Sequence, residues 1–180
     1  GGAAWFWLSA VAIEPLSVRF FPPSPAEQAA LRRVLLPAGG LRPLPLDLLG
    51  YALAPALCEE ILFRGLLLPV LLRALPPRAA AKIAALLLSA LAFGAYHLTP
   101  AKILPTAFLG LGFGLPRLFI PSLWPSIAAH LCNNALVIIL VRRGLDDAPL
   151  PGWLAIGALL AAAIAAGLIT RVSLRNPGLR

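Results

Sequence analysis

The chain has 180 residues, of which 60% are apolar and only 12% charged, and its mean hydropathy is +0.89. Charged residues stand at about half the roughly 25% share of soluble domains, which excludes a disordered chain, a collagen-like chain and an ordinary soluble domain. The net charge is +8, but the Arg and Lys residues sit between apolar runs, without interleaved aromatics; this fits basic loops against anionic lipid headgroups and not nucleic acid.

The apolar residues come in runs near the length of about 20 that crosses a bilayer. The expected fold is therefore all-α, a multi-pass transmembrane bundle with about five to six membrane helices. No Met occurs, so the chain is expected to be part of a longer one. Residues 3–13 are apolar and aromatic but short, and read as the end of a span. Residues 22–45 are Pro-rich. Within them EQAALRRVLL, 27–36, predicts a short amphipathic helix at the membrane interface, while Pro22-Pro23 and the run LRPLPLD break regular structure. Residues 1–45 thus form a partial N-terminal segment, and 46–180 the core.

The first full span, 46–75, is longer than a bilayer needs. Pro55 lacks a backbone donor, so a break is expected there, and a restarted helix would place Glu59 and Glu60 in early turns, where the macrodipole favours acids. Further spans are expected at 80–98, 103–120, 122–141 and 152–170. The third of the five contains GLGFG, read as close helix packing; the last is nearly all Ala, Leu, Ile and Gly. The basic residues divide evenly between the two sides, so charge does not set the orientation. Trp5, Trp7, Trp124 and Trp153 read as interfacial anchors. Cys58 and Cys132 lie in apolar stretches and in no CxxC pair, and read as small buried hydrophobes.

The exceptions to this apolar pattern carry the chemistry. Glu59, Glu60 and Arg64 lie within the first full span, and His97 and His130, the two histidines, in or at the end of two others. An ionisable group at the centre of a membrane helix costs about 2.5–3.5 kcal/mol on insertion scales, so these residues mark a functional site. Glu60 and Arg64 are four apart and share a helix face, as an internal ion pair would; Glu59 is rotated about 100° away. His130 and Asn134 share a face, as do Phe93 and His97, and Phe93 is placed to wall one side of that imidazole. Asn133 reads as packing. Counted from the span ends, Glu59, His97 and His130 all fall in the same half of the bilayer. A carboxylate, two imidazoles and an amide together suggest water activation, with the Glu as general base and a His and Asn as hydrogen-bond donors to an oxyanion. Alternatively, Glu59, His97 and His130 are a ligand set that a divalent cation such as zinc accepts. Spacing leaves both open.

Glu59-Glu60-Ile61-Leu62-Phe63-Arg64 fits EExxxR, Phe93-Gly94-Ala95-Tyr96-His97 fits FxxxH, and His130-Leu131-Cys132-Asn133-Asn134 fits HxxxN. In this order, over residues 46–141, they resemble the CPBP (Abi) intramembrane proteases, which include the type II CAAX prenyl endopeptidases. The resemblance implies an endopeptidase of membrane-associated proteins or peptides, seated as a multi-pass protein in a prokaryotic inner membrane. It implies Glu59 and His97 as the water-activating pair, His130 and Asn134 as stabilisers of the tetrahedral intermediate, and Glu60 and Arg64 as residues that shape the site. Metal dependence stays open, and prenyl specificity is not carried over. There is no HExxH, GxSG or GxGD, and Cys58 lies off the Glu59 face.

Two rival readings use the same residues. One is a catalytically silent family member acting as an immunity or scaffold protein. The other is a small proton-coupled transporter with Glu and His as relay; the near absence of polar residues in the other half of the bundle opposes it.

Overall fold

The computed structural model describes Trp5 and residues 9–145. The predicted fifth span, with Trp153, and Trp7 lie outside the described residues. Among the described residues the only regular structure is helical. Six helical runs follow in chain order: α1 (9–20), α2 (Pro25–Leu35), α3 (44–74), α4 (Ala79–Tyr96), α5 (Pro100–Gly114, leading into a 3-10 turn Leu115–Leu118) and α6 (Trp124–Arg142). Two of them, α4 and α6, are long and apolar enough to cross a membrane by length and composition. Helix α5, at 15 residues, falls short of the span predicted over 103–120.

The amphipathic helix predicted at 27–36 is α2. Ser24 caps it by accepting from the Glu27 N–H at 3.2 Å, and the Glu27 carboxylate returns the favour to the Ser24 N–H at 2.7 Å. This reciprocal box satisfies two of the donors that a helix start leaves open.

The break expected at Pro55 does not occur. Helix α3 runs unbroken from 44 to 74, on the order of 45 Å. A proline ring collides with the carbonyl four residues before it. For Pro55 that carbonyl is on Tyr51 and for Pro69 on Gly65, and each falls in a wide i→i+5 turn, Leu49–Leu53 and Ile61–Leu67. The same device precedes Pro15 in α1, at Ser9–Ile13. Widening the helix removes the collision, so Glu59 and Glu60 lie mid-helix and take no support from a helix start. In α5, Pro105 deprives the Ala101 carbonyl of its usual donor, and the Ser17 hydroxyl of α1 supplies one at 2.7 Å.

Helices α4 and α5 pack closest. A Cβ on Gly94 would run into the Ile103 carbonyl and Ala107, so only glycine permits this approach. Trp5, predicted as an interfacial anchor, stacks on Phe108 of α5 with centroids 4.7 Å apart; Trp124 is 71% exposed at the start of α6. One apolar core joins Leu35 of α2, Ala52 of α3, and Ile138 and Val141 of α6; a second joins Phe63, Phe93 and Phe113. The outer face of α4 shows Ile83, Leu87, Leu88 and Leu91, an apolar stripe suited to lipid. Cys58 and Cys132 are exposed, not buried: in a bundle with apolar outer faces, an apolar sequence environment no longer implies an inward direction.

Candidate active site

The second core lies against a charged cluster. Glu60 and Arg64, one helical turn apart on α3, are 0% and 1% exposed. Arg64 Nη1 donates to Glu60 Oε1 at 2.9 Å, and Nη2 donates to the Gly110 carbonyl of α5 at 2.6 Å. The guanidinium lies over the Phe93 ring at 4.6 Å, with Phe113 at 5.9 Å. Two charges in so dry a place persist only when paired and hydrogen-bonded, and the aromatic faces add cation–π attraction. A Cβ on Gly110 would stand 3.0 Å from the Phe93 ring and 3.2 Å from Arg64 Nη2. The first glycine of GLGFG thus serves close packing, as predicted, and also exposes the carbonyl that holds Arg64.

Helix α6 brings His130 to the same cluster. Its ring stacks on Phe113 with centroids 4.7 Å apart and meets the edge of Phe93 at 5.6 Å. Nδ1 donates to Glu60 Oε1 at 2.9 Å. Because a carboxylate only accepts, Nδ1 carries a proton, and in the neutral form of the ring Nε2 is then the nitrogen without one. That Nε2 stands 3.8 Å from Glu59 Oε2. Glu59, 17% exposed at its side chain, has this oxygen buried without a hydrogen-bond partner, and Glu60 Oε2 is likewise unpartnered. The neighbouring carboxylates therefore differ: Glu60 is tied through Oε1 to a cation and an imidazole, while Glu59 is the less buried of the two.

The structure brings Glu59, Glu60, Arg64, Phe93 and His130 together. Among the described residues, no hydrogen bond or ion pair joins His97 to Glu59, its partner in the resemblance. His97 Nδ1 donates to the Phe93 carbonyl at 3.0 Å, which again leaves Nε2 bare, and its ring meets Phe93 at 5.1 Å. Phe93 thus touches both imidazoles. Asn134 is half-buried and accepts from Asn133 Nδ2 at 3.2 Å, and Asn133 Oδ1 is buried without a partner. The step after His97 is strained: Leu98 has φ +56°, a left-handed conformation that costs a non-glycine residue about 1–2 kcal/mol.

Among the described residues, no group of three His, Cys, Asp or Glu side chains is placed to hold a metal ion. The two ring nitrogens of His130 face different carboxylates, and His97 Nδ1 is taken by its own helix.

Sequence reasoning missed two contributors. Gly110 sits in a motif that signals packing alone. Ser126, buried one turn before His130, donates to the Phe113 carbonyl at 2.6 Å and so ties α6 to the ring beneath the imidazole; nothing in a lone serine marks it.

No curated protein and no solved structure matches the chain. A family model, type II CAAX prenyl endopeptidase Rce1-like, matches residues 41–136. That interval runs from the entry to α3 to two residues past Asn134 and contains all three motifs. With those motifs on apolar helices and their first carboxylates gathered around His130, the chain belongs to the Rce1-like type II CAAX prenyl endopeptidase family of membrane proteases.

Proposed function

We propose that this protein is a multi-pass intramembrane endopeptidase that cleaves a membrane-associated protein or peptide with water activated by Glu59. The observation that carries this reading is the division of labour between adjacent carboxylates. Glu60 is tied through Oε1 to both Arg64 and His130, with its Oε2 unpartnered, whereas Glu59, the less buried of the two, holds its unpartnered oxygen 3.8 Å from His130 Nε2.

In the proposed reaction Glu59 removes a proton from water, with the bare Nε2 of His97 as a second acceptor for that water. The hydroxide forms a bond to the carbonyl carbon, and the carbonyl electron pair moves to oxygen. The proton passes from Glu59 to His130 Nε2, which then donates to the oxyanion together with the Asn134 amide. When the carbon–nitrogen bond breaks, the proton leaves on the amine. Glu60 holds the His130 ring by Nδ1, and Arg64 balances Glu60.

The remaining expected spans, the multi-pass topology and a place in a prokaryotic inner membrane belong to this proposal. The test is cleavage of a lipid-anchored peptide in proteoliposomes by the wild-type protein and by Glu59→Ala. Cleavage by the wild type alone is expected; equal cleavage by both ends the proposal.

A further inference from the structure

A second charged cluster lies away from the site, in the run LRPLPLD that the sequence marks only as a breaker. Asp47, in the first turn of α3, is fully buried. Its Oδ1 accepts from Arg42 Nε at 2.8 Å, and its Oδ2 from Arg142 Nη1 at 2.5 Å. Arg142, in the last turn of α6, also donates from both terminal nitrogens to the Arg42 carbonyl at 2.9 Å. Arg42 reaches back to the Val34 carbonyl of α2 and lies over the Tyr51 ring at 5.3 Å. A basic cluster at a helix end could hold an anion, but these guanidiniums already have partners within the protein. The cluster works as a clasp.

What it clasps is the pair of helices that makes the site. Helices α3 and α6 run antiparallel in one register. Asp47 meets Arg142, Ala52 shares a core with Ile138, Glu60 meets His130, and a Cβ on Gly65 would meet Leu123 just before α6. Each advance along α3 is matched, to within two residues, by a retreat along α6. The clasp and the Glu60–His130 bond are about a dozen residues apart on both helices, roughly 18 Å of rise. A slide of α6 by one residue would move His130 about 1.5 Å along the axis and turn it about 100°, breaking its bond to Glu60.

We infer that Asp47 and Arg142 are positioning residues: their buried ion pair fixes the register of α6 on α3 and so holds His130 against Glu60 and Glu59. The inference rests on the proposed function for its catalytic consequence, but not for its geometry. Apolar contacts such as Ala52 on Ile138 tolerate sliding, whereas a buried carboxylate whose two oxygens each meet a separate arginine has one low-energy placement.

The experiment uses the whole protein in lipid nanodiscs. The chain has two histidines, so the Nδ1–H resonance of His130, bonded to Glu60, is assigned by NMR on histidine-labelled protein against His97→Gln. Asp47→Asn and Arg142→Lys are each expected to shift or broaden that resonance away from its wild-type position. They are also expected to lower kcat by about 10- to 100-fold with KM unchanged, because a displacement near 1 Å costs about that much in rate. If Asp47→Asn loses its helical fold, Arg142→Lys, which keeps the charge and loses the fork, decides. An unmoved His130 resonance in the folded variants overturns the inference, whether or not kcat falls. If the wild type cleaves nothing, the proposed function fails, and the resonance still decides the register.

Discussion

Helices α3 and α6 are joined by two buried carboxylate clusters that close differently. At Asp47 both oxygens have partners, and Arg142 spends its remaining donors on a backbone carbonyl. At the site, one oxygen of Glu60 takes both Arg64 and His130, while Glu60 Oε2 and Glu59 Oε2 have no partner. An unmade hydrogen bond in a buried place costs about 1–3 kcal/mol, so a cluster that only holds helices together has reason to complete every bond. In the proposed function, the spare acceptors beside the imidazole are where water is taken up.

The sharpest test of that contrast separates Glu59 from Glu60. Glu59→Gln is expected to lower proteolysis by about 10²–10⁴-fold, the usual range for a general base, while thermal unfolding in detergent stays at the wild-type midpoint. Glu60→Gln should lower the unfolding midpoint as well as the rate, since it leaves Arg64 without its counter-charge; equal behaviour of the two variants would erase the distinction. Next in size, Arg64→Met is expected to destabilise the protein by about 3–5 kcal/mol through the stranded Glu60 carboxylate, measured by denaturation. Gly110→Ala is a smaller perturbation of the same cluster. The added methyl presses on Phe93 and Arg64, with an expected loss of about 1–3 kcal/mol and a shift of the His130 resonance.

The smallest expected effect concerns an exposed carboxylate. The Ser24 backbone N–H and hydroxyl, hydrogen-bonded around Glu27, hold its carboxyl below the ordinary value of 4.5. Its contribution to α2 is present above that value and is lost as pH falls through the lowered one. Amide protection factors in α2, taken relative to intrinsic exchange at each pH, should therefore fall on acidification in the wild type and change less in Ser24→Ala.

What was legible in the sequence followed from rotation within one helix. The spacing of Glu60 and Arg64 gave their ion pair, that of Phe93 and His97 gave the ring contact, and the apolar runs gave α4 and α6 within two residues of their ends. What was illegible depended on the relation between helices. The register that sets His130 against Glu60 and Glu59, with Phe93 touching both imidazoles, is written in no single motif. Cys58 and Cys132 misled because lipid and core favour the same side chains, so hydropathy loses its sense of direction. Asp47 was hidden among prolines, and Arg142 looked like one basic loop residue among many until α3 brought its partner to it. Pro55 lacks a donor, but the helix answers it by widening and not by stopping.

Those wide turns make the long rod a jointed one. Each loop of backbone that closes one residue late leaves a hydrogen bond longer-ranged and easier to open than its neighbours, and one such loop lies on either side of Glu59 and Glu60. The carboxylate pair therefore ends the ordinary helical segment Ala54–Glu60, which lies between two wide turns. Deleting a single residue from 61–67 would remove the extra residue that the wide turn holds, close it as an ordinary helical turn and bring back the collision at Pro69.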